Sequence, residues 1–235
     1  MKTITIYGDS IMRATVPGEN DKYQFKFNQF LEKFLENCSA SIVNRSQFGA
    51  TISKGLKTVE RDISKGVSSR YALVEYGGND CNFDWAAVAS EPDKDHAPAT
   101  CLDTFVSSLE KITSLLEKSG VTPVLMTLPP INAERYFKHI CKGGLSSDRI
   151  LHWLGGDVQL IYRFHELYSD AIAKFAMKFG YKLIDVRSAF LTKHNLSDLI
   201  SGDGIHPSEE GYDLICSVLE SAFSKDSSED LAVPA

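Results

Sequence analysis

The stretch YGDSIM, Tyr7 to Met12, ends an apolar β-branched run in Gly8, Asp9 and Ser10. Ser10 has two readings there. Serines commonly cap the helix that follows a turn, and a serine held at such a turn can also be a nucleophile. Acyl transfer needs a nucleophile, a base, a group that orients the base, and donors for the oxyanion. All four kinds of group occur. Asp203 and His206 stand three residues apart in GDGIHP. On a tight loop this spacing folds the carboxylate onto one ring nitrogen and leaves the other facing Ser10. The aspartate then fixes the tautomer and stabilises the imidazolium. Asn79, in GGND, offers a side-chain NH2, and the backbone N–H groups of Gly49 and Ser10 complete a three-donor hole. Gly8 permits close approach, and a helix N-terminus after Ser10 favours negative charge.

Other polar residues near these motifs read as structural. Asp9 and Asp80 are expected to hold their own turns by accepting backbone N–H groups. Asp185, after YKLI, reads as a helix cap. His96, His139, His152, His165 and His194 are rivals for the base, but none has an aspartate three residues earlier on a strand-end loop. His165 falls within a long helical pattern and is expected to be partly packed. Phe83, Trp85, Tyr136, Phe137 and Trp153 have two equal readings: they close small satellite cores, or they line an acyl or sugar pocket.

The elements that must position these residues alternate in type. TITIY (3–7), SIVN (41–44), YALVEY (71–76), PVLMTL (123–128) and YKLID (181–185) read as strands. Helical stripes run through Phe27, Phe30, Leu31, Phe34 and Leu35, through Leu102 to Leu116, through Val158 to Phe179, and through Tyr212 to Phe223. Strands alternating with helices imply right-handed crossovers and a parallel sheet covered on both faces. Ligands of such sheets sit beyond the carboxyl ends of the strands, where Ser10, Gly49 and Asn79 fall. The expected organisation is one domain over 1–224, with long loops at 81–100 and 131–157, and a flexible tail over 225–235. Loops of that length inside a domain are usually functional or mobile.

Composition narrows the class. The 235 residues are 43% hydrophobic and 24% charged, enough for one substantial core. A net charge of −6 gives no basic surface for nucleic acid. No apolar run approaches a membrane span, and MKTITIYGD lacks the apolar core of a signal peptide. Cys38, Cys81, Cys101, Cys141 and Cys216 are scattered, without a CxxC pair, and read as free thiols of a cytoplasmic protein.

Taken together, GDS, the glycine of NRSQFGAT, GGND and DGIHP resemble the blocks of the SGNH hydrolases, the GDSL-type esterases and lipases, over nearly the whole chain. The resemblance implies Ser10 as nucleophile, a triad with Asp203 and His206, and an oxyanion hole from Ser10, Gly49 and Asn79. It implies a flavodoxin-like three-layer α/β/α sandwich around a five-stranded parallel sheet, with no metal or organic cofactor. Ile11 stands where the lipase form of the motif has leucine. The expected function is a serine esterase acting on a small-molecule ester with a short acyl group, O-acetyl groups on carbohydrates included. Lysophospholipids and thioesters fit the same triad. A metal-dependent phosphohydrolase would need clustered ligands, and only His206 is well placed. A non-enzymatic binding module would be suggested by a broken triad, and every member is present.

Overall fold

Alternation along the strands divides the core into two. In a computed structural model that describes residues 2–18, 22–27, 29–30, 40–66 and 69–224, five strands form one parallel sheet: β1 (Lys2–Gly8), β4 (Ala40–Asn44), β5 (Tyr71–Glu75), β6 (Thr122–Met126) and β7 (Lys182–Ile184). Ile4, Ile6, Tyr71, Leu73, Val124, Met126 and Ile184 face one side. They pack against α7 (Val186–Leu191) and α8 (Glu209–Ser224) through Phe190, Tyr212, Ile215 and Leu219. Tyr7, Ala72, Val74 and Leu125 face the other side. There they meet α1 (Ile52–Ser64), α3 (Leu102–Lys118) and α6 (Gln159–Phe179) through Val59, Phe105, Ile112 and Ile172. Period-two residues on a strand buried from both sides give this split.

The spatial order β4-β1-β5-β6-β7 is the flavodoxin-like one. The chain leaves β1 toward one edge and returns past it to β5, so the crevice where strand order reverses lies between β1 and β5. Register pairs Gly8 with Glu75 at the carboxyl ends of these two strands.

Several elements differ from the sequence expectation. Ser10 is followed by the turn 11–14 and then by β2 (Thr15–Pro17), which pairs antiparallel with β3 (Tyr23–Phe25). No helix starts there, so a helix dipole does not act on Ser10. The two expected loops hold short helices: α2 (Trp85–Ser90), α4 (Ala133–Cys141) and α5 (Ser147–Trp153). These are too short for a periodic stripe, but each is capped: Asp84, Asn132 and Ser146 accept from the N–H three residues on. Arg149 ties α5 to the end of α2 by donating to the carbonyls of Ala89 and Ser90. Phe83, Trp85, Val88, Ile131, Ile150 and Ile161 give the two insertions a core of their own. Helix α1 has no long apolar stripe, which hid it in the sequence.

Of the expected helix near the N-terminus, Phe27 and Phe30 pack on the core, while Leu31, Phe34 and Leu35 lie outside the described residues, as do Cys38 and 225–235. Cys81, Cys101, Cys141 and Cys216 form no disulfide. Among the described residues no helix is long and apolar enough to cross a membrane.

Candidate active site

Ser10 sits where β1 leaves the sheet. Gly8 is required just before it, because a Cβ there would lie 2.9 Å from Met12 Cβ and 3.1 Å from the Glu75 carbonyl oxygen. The turn is held by Asp9, whose Oδ1 accepts from the Ile11 N–H at 2.8 Å.

His206 arrives from the far end of the chain. Its Nε2 lies 3.0 Å from Ser10 Oγ, and its Nδ1 lies 2.6 Å from Asp203 Oδ2. The DGIH spacing produces this arrangement by wrapping the loop around one carboxylate: Asp203 Oδ1 accepts from the N–H groups of Ile205 and His206 at 3.0 and 3.1 Å. Burial alone would raise the Asp203 pKa, but its hydrogen bonds with His206 and Ile205, and the charge on His206, hold it down to about 2. The carboxylate therefore stays ionised beside the imidazole. All three residues are buried.

Asn79 lies at the end of the β5 turn, and its NH2 is already engaged. Nδ2 donates to Asp9 Oδ2 at 2.8 Å and to the Ala50 carbonyl at 3.3 Å. Gly49 lies in an exposed turn with φ +66°, which is tied to β1 through Gln47 N–H donating to the Gly8 carbonyl at 3.0 Å. The structure thus gathers Ser10, His206, Asp203 and Asn79 around one point. It puts Gly49 in a neighbouring loop, outside the lining of the adjoining cavity.

That cavity opens beside Ser10 and His206, with a volume of about 670 Å³ counting its mouth. Its walls come from both insertions and α6, including Phe83, Trp85, Tyr136 and Phe164. Phe83, Trp85 and Tyr136 thus fill both roles expected of them, satellite core and pocket wall, whereas Phe137 and Trp153 serve only the core.

Beneath the Ser10 turn lie three buried acids. Burial raises the pKa of each: Asp9, Glu75 (well above its usual range, with the Asp9 charge adding to the effect) and Asp80, to about 6. Asp80 does more than hold its own turn, since it caps α1 by accepting from Ile52 N–H at 3.0 and 3.1 Å. Glu75 was not among the expected site residues. Its signal was a charged residue within the apolar run YALVEY, since a buried charge is informative in a way that an exposed one is not.

The rival histidines make other contacts, although His165 lines the same cavity as Ser10 and His206. His96 contacts the Glu91 carbonyl, His152 contacts Asp93, and His139 lies 3.5 Å from the Tyr23 hydroxyl. His165 is buried, with its pKa lowered to about 3 by burial and by the Arg187 charge. Asp185 caps α7, accepting from Ser188 N–H at 3.0 Å. Among the described residues no group of three or more His, Cys, Asp or Glu is arranged to hold a metal ion.

Residues 6–214 match the GDSL-like Lipase/Acylhydrolase family. The chain belongs to this family. As a GDSL-family member it is an ester hydrolase. No curated protein sequence matches it. Its fold is similar to that of a lipase/acylhydrolase from Enterococcus faecalis, with a TM-score of 0.66, 16% identity, and coverage of 96% of this chain and 97% of that one. It is similar also to a G-D-S-L lipolytic protein from Veillonella parvula, with a TM-score of 0.65, 15% identity and coverage of 96% and 100%. A catalytic mutant of an acetylxylan esterase from Geobacillus stearothermophilus aligns with a TM-score of 0.63, 14% identity and 94% coverage of each chain.

Proposed function

We propose that this GDSL hydrolase is a serine esterase that cleaves short-acyl carboxylic esters, O-acetyl groups on carbohydrates among them, through an acyl-enzyme on Ser10. The observation that carries this reading is the pair of contacts at His206: 3.0 Å to Ser10 Oγ on one ring nitrogen and 2.6 Å to Asp203 on the other.

His206 Nε2 takes the proton of Ser10 as Oγ attacks the ester carbonyl carbon, whose oxygen becomes the oxyanion. The Ser10 N–H group and the Asn79 amide, both at the cavity, stabilise that charge. Collapse re-forms the carbonyl and expels the alcohol oxygen, which leaves with the proton from His206. A water molecule then attacks the acyl-serine, giving its proton to His206, which returns it to Ser10 as the acid leaves. Asp203 fixes the tautomer throughout. No cofactor has a part in these steps.

The cavity's largely apolar walls with a few polar groups beside Ser10 suit a small-molecule ester, and the likeness in fold to an acetylxylan esterase favours acetyl esters of sugars. The experiment is a chain-length series of p-nitrophenyl esters run beside acetylated xylosides, lysophosphatidylcholine and an acyl thioester. Highest kcat/KM on acetyl or propionyl esters is expected. A peak at long acyl chains would move the assignment to lysophospholipase or thioesterase chemistry. Ser10→Ala is expected to remove about 10⁴-fold or more of the rate. A fluorophosphonate is expected to add its mass to the Ser10 peptide; unaltered turnover in Ser10→Ala would refute the nucleophile assignment.

A further inference from the structure

Asn82 stands three residues past Asn79, just before α2, and lines the cavity that also contains Ser10 and His206. Its side-chain oxygen accepts from Trp85 Nε1 at 2.9 Å and from the Tyr136 hydroxyl at 2.9 Å. An indole N–H can only donate, so the atom that faces it must be the amide oxygen. The orientation of the amide is thereby fixed by chemistry. Trp85 belongs to the first insertion and Tyr136 to the second, so the clamp closes only when the two pack together.

The opposite end of this amide, Nδ2, meets no acceptor among the described residues and is not sealed from solvent. The cavity that Asn82 lines is walled in part by hydrocarbon and ring, from Phe83, Leu128, Ile131, Ile161 and Phe164. A donor locked before the substrate arrives loses little rotamer freedom on binding. A substrate that covers it without offering an acceptor leaves it unpaired, and such mismatches discriminate strongly.

We infer that Asn82 is a specificity-determining residue, a fixed hydrogen-bond donor to an acceptor oxygen that the substrate carries near its ester group. The inference rests on the esterase reading. It adds that plain alkyl esters are poor mimics of the true substrate. The acceptor oxygen has two possible sources, a hydroxyl or ring oxygen of a sugar alcohol, or an ether or hydroxyl oxygen on the acyl group.

Two matched pairs separate these sources. Cyclohexyl acetate against a mono-O-acetyl methyl xyloside varies the alcohol; p-nitrophenyl butyrate against p-nitrophenyl methoxyacetate varies the acyl group. Asn82→Asp keeps an oxygen for Trp85 and Tyr136 and turns the donor into an acceptor when assayed at pH 8. The readout is the ratio of kcat/KM, oxygenated ester over plain ester, in the variant relative to wild type, which cancels intrinsic reactivity. This ratio is expected to fall by about tenfold or more in one of the pairs, and the pair in which it falls identifies the source. Tyr136→Phe, which removes one of the two clamping donors, is expected to lower the same ratio by a smaller factor. An equal loss on both members of each pair, or an unchanged ratio, overturns the role of Asn82. Wild-type protein that cleaves none of the four esters and takes up no fluorophosphonate at Ser10 would instead overturn the esterase reading on which the inference rests.

Discussion

The Asn79 amide donates to the Asp9 carboxylate at 2.8 Å, joining the turn after β5 to the turn that carries Ser10. Asp9 accepts from Ile11 N–H with its other oxygen, so one buried carboxylate sets both the serine turn and the asparagine. Only the looser bond from Asn79 to Ala50, at 3.3 Å, must yield for an oxyanion to take a hydrogen.

Asn79→Ala is therefore expected to lower kcat by about 10²- to 10³-fold with a small change in KM, the signature of a donor used only in the transition state. Steady-state kinetics on p-nitrophenyl acetate checks this. A matching rise in KM with kcat unchanged would make Asn79 a ground-state binding group instead.

Asp9 and Glu75 meet across β1 and β5, the Asp9 N–H pointing at Glu75 Oε2 at 3.4 Å while Oε1 is buried without a hydrogen-bond partner. Asp9 accepts two good hydrogen bonds, so Glu75 is the member that keeps the proton. Burial raises its folded pKa well above the ordinary 4.5. Unfolded, the group loses its proton near 4.5; folded, it holds it to higher pH. Between those values the unfolded state binds fewer protons, so this group's contribution to stability is full below 4.5 and declines as pH rises. Glu75→Gln mimics the neutral acid and abolishes that decline. Its melting temperature relative to wild type is expected to be higher at pH 8 than at pH 5, by a few degrees, since about 1 kcal/mol moves a chain of this size by about 2–4 °C. A difference independent of pH would show that Glu75 is ionised in the fold.

Much of this site could be read in the sequence because it depends on short-range geometry. Asp203 and His206, three positions apart, fold onto each other across Gly204 and Ile205, and the five strands announce themselves as short apolar runs. What escaped detection depends on contacts between distant segments. The hairpin Thr15–Pro17 with Tyr23–Phe25 takes the place of a helix after Ser10, and three-residue strands leave little pattern to find. Trp85, Tyr136 and Asn82 were visible as residues, but their convergence requires two insertions to dock, which no local spacing encodes. Gly49 illustrates the reverse case: the motif block is present, yet the turn it occupies is exposed and stands outside the cavity lining.

The 2.6 Å contact between Asp203 and His206 Nδ1 keeps the proton on Nδ1, leaving Nε2 free to accept from Ser10. Asp203→Asn retains an oxygen for Ile205 and His206 N–H but turns an NH2 toward Nδ1. That favours the tautomer with its proton on Nε2, which cannot act as the base. A fall in kcat of about 10⁴-fold is expected, with near-normal melting at neutral pH. Because the carboxylate titrates only at about 2, any acid limb of the wild-type profile above about pH 4 belongs to another group. A pH–rate profile of wild type, and kcat of the variant, check both points.

Gly204, between these two residues, lets the loop touch the second insertion. Its φ is +83°, and an added Cβ would lie 2.3 Å from Tyr136 N and 2.6 Å from the Asn132 carbonyl oxygen, both backbone atoms at the start of α4. The same loop accepts from Asn132 N–H through the Gly204 carbonyl at 2.8 Å, and Arg135 Nη1 donates to the Ser197 and Ile200 carbonyls at 2.7 and 2.6 Å. Helix α4 thus braces the segment that presents His206. Gly204→Ala must either distort the loop or push α4 away, and neither backbone can yield cheaply. A loss of at least about 2 kcal/mol of stability is expected, together with a fall in kcat that exceeds what the lost folded fraction explains. Arg135→Ala leaves the close approach intact and removes only the two carbonyl contacts, so its kcat is expected to fall less. Denaturant melts paired with active-site titration by a fluorophosphonate separate folded fraction from turnover. If Gly204→Ala turned over at the wild-type rate per titrated site, the bracing role of α4 would be wrong.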